Sequence, residues 1–144
     1  MLSKIDCFLG EFNMNKTEFV NHEELISGLY DEMKTVLESS EQSIYLYLDD
    51  NHWVPNKKFL SLLGYKSFEE IVALKKPLLD ALVDEKSQET LASVYERATT
   101  KMVGLTINVV FKKKSGERVE TTMILVPIAY REHIFALHFI TPKA

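Results

Sequence analysis

The run Asn56-Lys57-Lys58-Phe59-Leu60-Ser61-Leu62-Leu63-Gly64-Tyr65 is a short helix with both of its ends written into it. Asn56 stands where a side-chain oxygen can accept from the first free N–H groups of a helix. Phe59, Leu60, Leu62 and Leu63 supply the apolar face, and Gly64 supplies a left-handed stop. As a cap alone, Asn56 is expected to contribute ~1 kcal/mol.

Upstream of this helix, Trp53 and Val54 read as a short strand, and Pro55, which has no N–H, places that strand at a sheet edge. Asp49-Asp50-Asn51 is a turn cluster, and Ser43 to Leu48 is a strand rich in Ile, Tyr and Leu. A polar connector, 38–42, separates it from a helix over 23–38 capped by Asn21, with Glu24 placed to reach back to the cap. Ile26, Leu29, Met33 and Val36 form its apolar stripe, widened by Leu25, Tyr30 and Leu37. Before it, Leu2, Ile5, Phe8, Leu9 and Phe12 give a short amphipathic helix weakened by Gly10.

Downstream, Ser67 starts a turn of helix with Phe68, Ile71 and Val72, and Pro77 interrupts the next stretch. Asp84 caps a longer helix over 85–101 with Leu91, Val94, Tyr95, Ala98 and Met102 on one face. Three strands close the chain, at 105–112, 118–128 and 133–140. Their short turns, at Lys114-Ser115-Gly116-Glu117 and around Tyr130, Arg131 and Glu132, imply antiparallel pairing. Pro127 is expected at a strand end or a bulge. Met123 to Val126 and Ile134 to Leu137 are unbroken apolar runs, so both faces of the sheet need cover. The central helices cover one face; the N-terminal helix or a second subunit covers the other. The division is 1–42, a helical cap or dimerisation segment, and 43–144, the sheet domain.

The totals exclude several classes. A net charge of -4 opposes nucleic-acid binding, and Lys112, Lys113 and Lys114 sit beside a turn, where a short basic run is a solvated tip. No apolar run reaches the ~20 residues that span a bilayer. Cys7 is the only cysteine, so no internal disulfide forms, and the start of the chain does not read as a secretory signal; the expected location is cytoplasmic. No phosphate loop, dinucleotide fingerprint or nucleophile elbow is present. His133 and His138, five apart on one strand, face opposite sides. None of His22, His52, His133 and His138 has a ligand motif, so no metal site is expected. The adjacent pairs Glu23/Glu24, Asp49/Asp50, Glu69/Glu70 and Asp84/Glu85 do not face one another and read as helix starts or turns rather than a catalytic dyad.

The order of elements, two strands, short helices, a longer helix and three strands, resembles the PAS domain. Tyr45-Leu46-Tyr47-Leu48-Asp49 resembles the family's first strand and acidic turn. The Asn56 to Tyr65 run resembles its Asn-led helix ending in Leu-Gly-Tyr, and Phe68-Glu69-Glu70-Ile71 its next helix. Val83-Asp84-Glu85 stands at the acidic cap of the long helix, and Lys114-Ser115-Gly116-Glu117 resembles the Lys-Asp-Gly hairpin, with Ser115 in place of Asp. The likeness runs from 43 to 141. It implies an α+β fold: a five-stranded antiparallel sheet with helices on one face, the second and third strands at the edges, and an additional N-terminal helical segment. It also implies a sensory or interaction role passed on through flanking helices and dimer contacts. Flavin-binding light sensors carry a cysteine directly after the motif asparagine; here Lys57 follows Asn56, so no photo-adduct is expected. Haem-binding members use a histidine on the long helix, and 85–101 contains none, so haem is not expected either.

The reading that results is a signalling module without catalytic activity, with a packed core or a small apolar ligand. The pocket candidates are Phe59, Leu63, Val94 and Tyr95, with Asn108 and His138 as polar groups. The expected partners are a second copy, through Ile26, Leu29, Met33 and Val36, and a downstream signalling protein that carries the output. The competing reading is an isomerase or hydratase on a similar curved sheet, with His138, Glu120 or Asp49 deep in the concavity.

Overall fold

The structure, a computed structural model, describes residues 21–143. The helix expected around Leu2, Ile5, Phe8, Leu9 and Phe12, and Cys7 within it, lie outside the described residues. The elements are α1 (His22–Ser39), β1 (Ser43–Asp49), β2 (His52–Pro55), α2 (Lys57–Leu63), α3 (Phe68–Val72), α4 (Leu78–Leu82), α5 (Glu85–Lys101), β3 (Leu105–Lys112), β4 (Arg118–Tyr130) and β5 (His133–Pro142). Asn21 caps α1, its Oδ1 accepting from the Glu24 N–H at 2.8 Å. Helix α4 was not expected. Pro77 does not interrupt a helix there but precedes one, in the place where a missing N–H costs nothing. Met102, expected on the α5 face, instead ends that helix in the left-handed region and is exposed.

The sheet order is β2-β1-β5-β4-β3, with every pair antiparallel. Pro55 is thus on an edge strand, as its missing donor requires. The other edge, β3, is blocked by the chain itself: Val83 bridges to Phe111, the Asp84 N–H donates to the Val110 carbonyl, and Ser87 Oγ accepts from the Val110 N–H. Strands β4 and β5 run further than expected because Arg131 and Glu132 both adopt positive φ, the hairpin geometry whose twist matches the strands. Pro127 corrects an expectation. It pairs with Ala136 inside β4, not at an end or bulge. Pairing with β3 begins only at Leu125, so this part of β4 has no neighbour on one side and needs no donor there.

Side-chain parity divides the core in two. Tyr45, Met123, Leu125, Ala136 and Ile140 face α2–α5, in a core with Phe59, Leu63, Val94 and Phe111. Ile44, Leu46, Leu48, Phe135 and Leu137 face the other way, and Leu25, Ile26, Leu29 and Leu37 of α1 pack on them. The outer face over β1 and β5 is therefore covered by the chain's own helix. That corrects the expected dimer contact: Ile26 and Leu29 are buried within the chain, Met33 is half-buried, and only Val36 is exposed, at 53%. The stripe turns toward Leu25 and Leu37 because these complete the surface over β1 and β5.

Asn56 joins both layers. Its Oδ1 accepts from the Phe59 N–H, capping α2, and from the Ile44 N–H of β1, both at 3.0 Å. Its Nδ2 donates to the carbonyls of Leu37, at 3.1 Å, and Gln42, at 2.9 Å. Gly64 ends α2 at φ 84, and a Cβ there would meet nothing nearer than the Lys114 Cβ at 3.9 Å. The cost of Gly64→Val is thus backbone strain, about 2 kcal/mol. It should appear as a lower urea midpoint; an unchanged midpoint would show that the helix end tolerates a β-branched residue.

Candidate functional site

Between the sheet and helices α4 and α5 lies a cavity of about 150 Å³. β1 contributes Tyr45 and Tyr47, and β5 contributes His138. α4 adds Leu78 and Leu79; α5 adds Leu91, Ala92 and Tyr95. Tyr45 and His138 are cross-strand partners, and their rings stack at 4.0 Å and 11°. Tyr95 meets Tyr47 edge-on at 5.3 Å, and the Tyr47 hydroxyl donates to Asp50 Oδ1 at 2.6 Å.

Asp50 completes the wall, so its polar groups are the Asp50 carboxylate, the tyrosine hydroxyls and His138. His138 is 2% exposed, and its Nδ1 has no hydrogen-bond partner among the described residues. Burial pushes its pKa down to about 3, against a smaller opposing effect from the Tyr45 and Ala136 backbone. The imidazole is therefore neutral at any ordinary pH. A larger cleft of about 730 Å³ runs between α1, β2 and α3, and Glu23, Asp31, Lys75 and Lys76 line it.

Of the pocket candidates, Tyr95 and His138 line this cavity. Phe59 and Leu63 lie in the packed core, both fully buried, and Val94 is buried beside them; none lines the cavity. Asn108 is exposed, on the face opposite the cavity. Even-numbered residues of β3 point outward, while Leu105, Ile107, Val109 and Phe111 point in. Of the three residues offered for catalysis, Glu120 is exposed and Asp49 is the last residue of β1 and does not line the cavity, so only His138 does. Sequence reasoning missed Tyr45 and Tyr47; their signal was parity with His138 across the pair.

A second constellation gathers two of the histidines around one carboxylate. Asp49 reaches His52 across the turn, Oδ1 to Nδ1 2.7 Å, and His22 at the start of α1, Oδ2 to Nδ1 2.5 Å. Burial raises the Asp49 pKa, but hydrogen bonds from His22, His52 and the Asn51 N–H outweigh it and hold the carboxyl below its ordinary value.

No family model matches the sequence, and no curated protein matches it. Solved structures do. A PAS domain from a two-component sensor histidine kinase superposes with a TM-score of 0.59 at 18% identity, covering 81% of this chain and 99% of that one. A PAS domain from Colwellia psychrerythraea gives 0.63 at 19% identity, covering 80% and 97%. The chain has the PAS fold. A LOV protein of Rhodobacter sphaeroides is similar too, with a TM-score of 0.64 at 14% identity, covering 82% of this chain and 68% of that one. In this PAS-fold chain the cavity lies between the sheet and α4 and α5, and α1 is the flanking helix, packed on the other face. No described helix is long and apolar enough to cross a membrane.

Proposed function

We propose that this PAS-fold chain is a sensory module whose signal is a small, mostly apolar ligand held between the sheet and α5. The observation that carries this is a mostly apolar cavity with the buried His138 in its wall, whose Nδ1 has no hydrogen-bond partner among the described residues. An unpaired buried polar group costs free energy, and a ligand that hydrogen-bonds it recovers that cost. The volume suits a ligand of benzene size carrying one polar group. It falls below the ~300 Å³ at which drug-sized pockets begin, which favours a ligand smaller than flavin or haem, and a colourless protein is expected.

Binding is favoured over catalysis on the same residue. A general base works best with a pKa near the operating pH, and His138 stays neutral far below it. We further propose a homodimer as the route of output. Its contact is the half of the outer sheet face that α1 leaves open, around Ile124, which is 46% exposed. Native mass spectrometry of the purified chain tests both: the expected spectrum shows twice the chain mass and a small retained mass that His138→Phe abolishes. A monomer refutes the dimer; a ligand-free spectrum that no small apolar probe changes refutes the sensor. Ile124→Glu should give a folded monomer by light scattering.

A further inference from the structure

Where α1 begins, β1 ends and β2 starts, the fold gathers imidazoles. His22, Asp49 and His52 each offer one ligand atom, and these atoms all lie within 4.8 Å of one another. We propose that the three residues form a binding site for a divalent transition-metal ion of the zinc class, clamping the start of α1 to the β1–β2 turn. The site lies at the end of β1, beside Asp50 of the cavity wall, and uses none of the residues that line the cavity.

The donor set decides the class of ion. Two imidazole nitrogens and one carboxylate oxygen suit zinc and its first-row neighbours, whereas magnesium and calcium want mostly oxygen. Each histidine presents Nδ1, and each Asp49 oxygen faces one of them. On binding, each imidazole takes the Nε2–H tautomer, its Nδ1 proton passing to Nε2 by way of solvent, and turns the freed Nδ1 lone pair to the ion. Tetrahedral zinc with ligands at ~2.0–2.1 Å sets its donor atoms about 3.3 Å apart. The Nδ1–oxygen distances of 2.5 and 2.7 Å run to different oxygens of Asp49, and one ligand atom from each residue lies within 4.8 Å of the others, so partly exposed side chains reach that spacing by shifts of about 1.5 Å or less.

The other ring nitrogen of His52 gives an independent observation. Its Nε2 lies 3.4 Å from the Glu23 carboxylate. A metal-ligating histidine typically donates its remaining N–H to a carboxylate, which fixes the ring and raises its basicity. Glu23 is thus a positioning residue. His133 packs edge-on against His22 at 5.6 Å, with its Nδ1 3.0 Å from the Arg131 carbonyl oxygen; it buttresses the His22 ring from outside the ligand set. Three protein ligands leave a fourth position for water.

The ion would join elements that are far apart in the chain. His22 is the first residue of α1, the helix that covers the outer sheet face, and Asp49 and His52 belong to the sheet. Occupancy would therefore strengthen the docking of the flanking helix.

The test uses the full chain without a histidine tag, in a Cys7→Ser background that removes its one thiol. Zinc is titrated by calorimetry and cobalt by its visible absorption, and hydrogen exchange is followed in the first turn of α1. The expected result is one ion per chain, tetrahedral cobalt bands, and slower exchange in that turn when zinc is added. His22→Ala and His52→Ala should each weaken binding by at least about tenfold, and Glu23→Gln by about tenfold. Glu23 is exposed, so its variant keeps the test valid if a histidine variant fails to fold. No binding, or binding that survives both histidine variants undiminished, overturns the proposal. So does binding that Glu23→Gln leaves unchanged together with unaltered exchange in α1.

Discussion

Replacing Asn56 with Ala is expected to cost about 3 kcal/mol, some three times what a helix cap alone is worth. The side chain is 5% exposed and makes four hydrogen bonds, to the backbone of Ile44, Phe59, Leu37 and Gln42. Its loss leaves two N–H donors and two carbonyls without it, in a place water reaches poorly. Asn56→Asp is the sharper experiment. The carboxylate keeps both accepted bonds, yet it turns an oxygen toward the carbonyls of Leu37 and Gln42, where Nδ2 had donated. It should cost at least as much as Asn56→Ala at neutral pH, although Asp is as good a cap as Asn. Urea unfolding measures both. A loss of only about 1 kcal/mol in each would mean that Asn56 caps α2 and nothing more. Because Leu37 belongs to α1 and Ile44 to β1, both variants should also loosen α1 from the sheet.

Acid should destabilise the domain well above the range where its carboxylates titrate, and His138 should be the cause. Its pKa is 6.5 in the open chain and about 3 when folded. Above pH 6.5 both states hold a neutral imidazole and the pH has no leverage. Below it, the unfolded chain takes up a proton that the folded chain refuses, so stability falls by about 1.4 kcal/mol per pH unit. Between about pH 7 and about pH 5 the loss is roughly 2 kcal/mol, and it continues toward the folded pKa. Asp49 and Asp84 are held below their ordinary value of 3.8, so their contribution is lost only at lower pH. His138→Phe keeps a ring to stack on Tyr45 and removes the proton site, so its stability should be flatter across the same interval. An equally steep slope in the variant would place the acid sensitivity elsewhere. A ligand that hydrogen-bonds Nδ1 should reinforce the neutral form and shift the wild-type loss to lower pH.

Local chemistry was legible in the sequence. Asn21, Asn56 and Asp84 cap the helices they were expected to cap, and Gly64 closes α2. Pro55 marked an edge strand, and the unbroken apolar runs of β4 and β5 required cover on both faces. These features are short-range: a cap, a stop or a missing donor acts within a few residues, so its identity fixes its consequence. Which surface meets which was beyond the sequence. The stripe of α1 is broad enough for either a partner or a sheet, and only the packed chain shows Leu25 and Leu37 buried while Val36 is left out. Apolar residues are alike to a pattern count, so Phe59 and Leu63 could not be told from cavity residues until the helices were set on the sheet. The polar sites are tertiary for the same reason. His138 becomes an unpaired neutral group only when Tyr45 stacks on it across the β1–β5 pair. His22 meets Asp49 only when α1, 27 residues away in the chain, folds back over the sheet and brings its first turn to the β1–β2 turn.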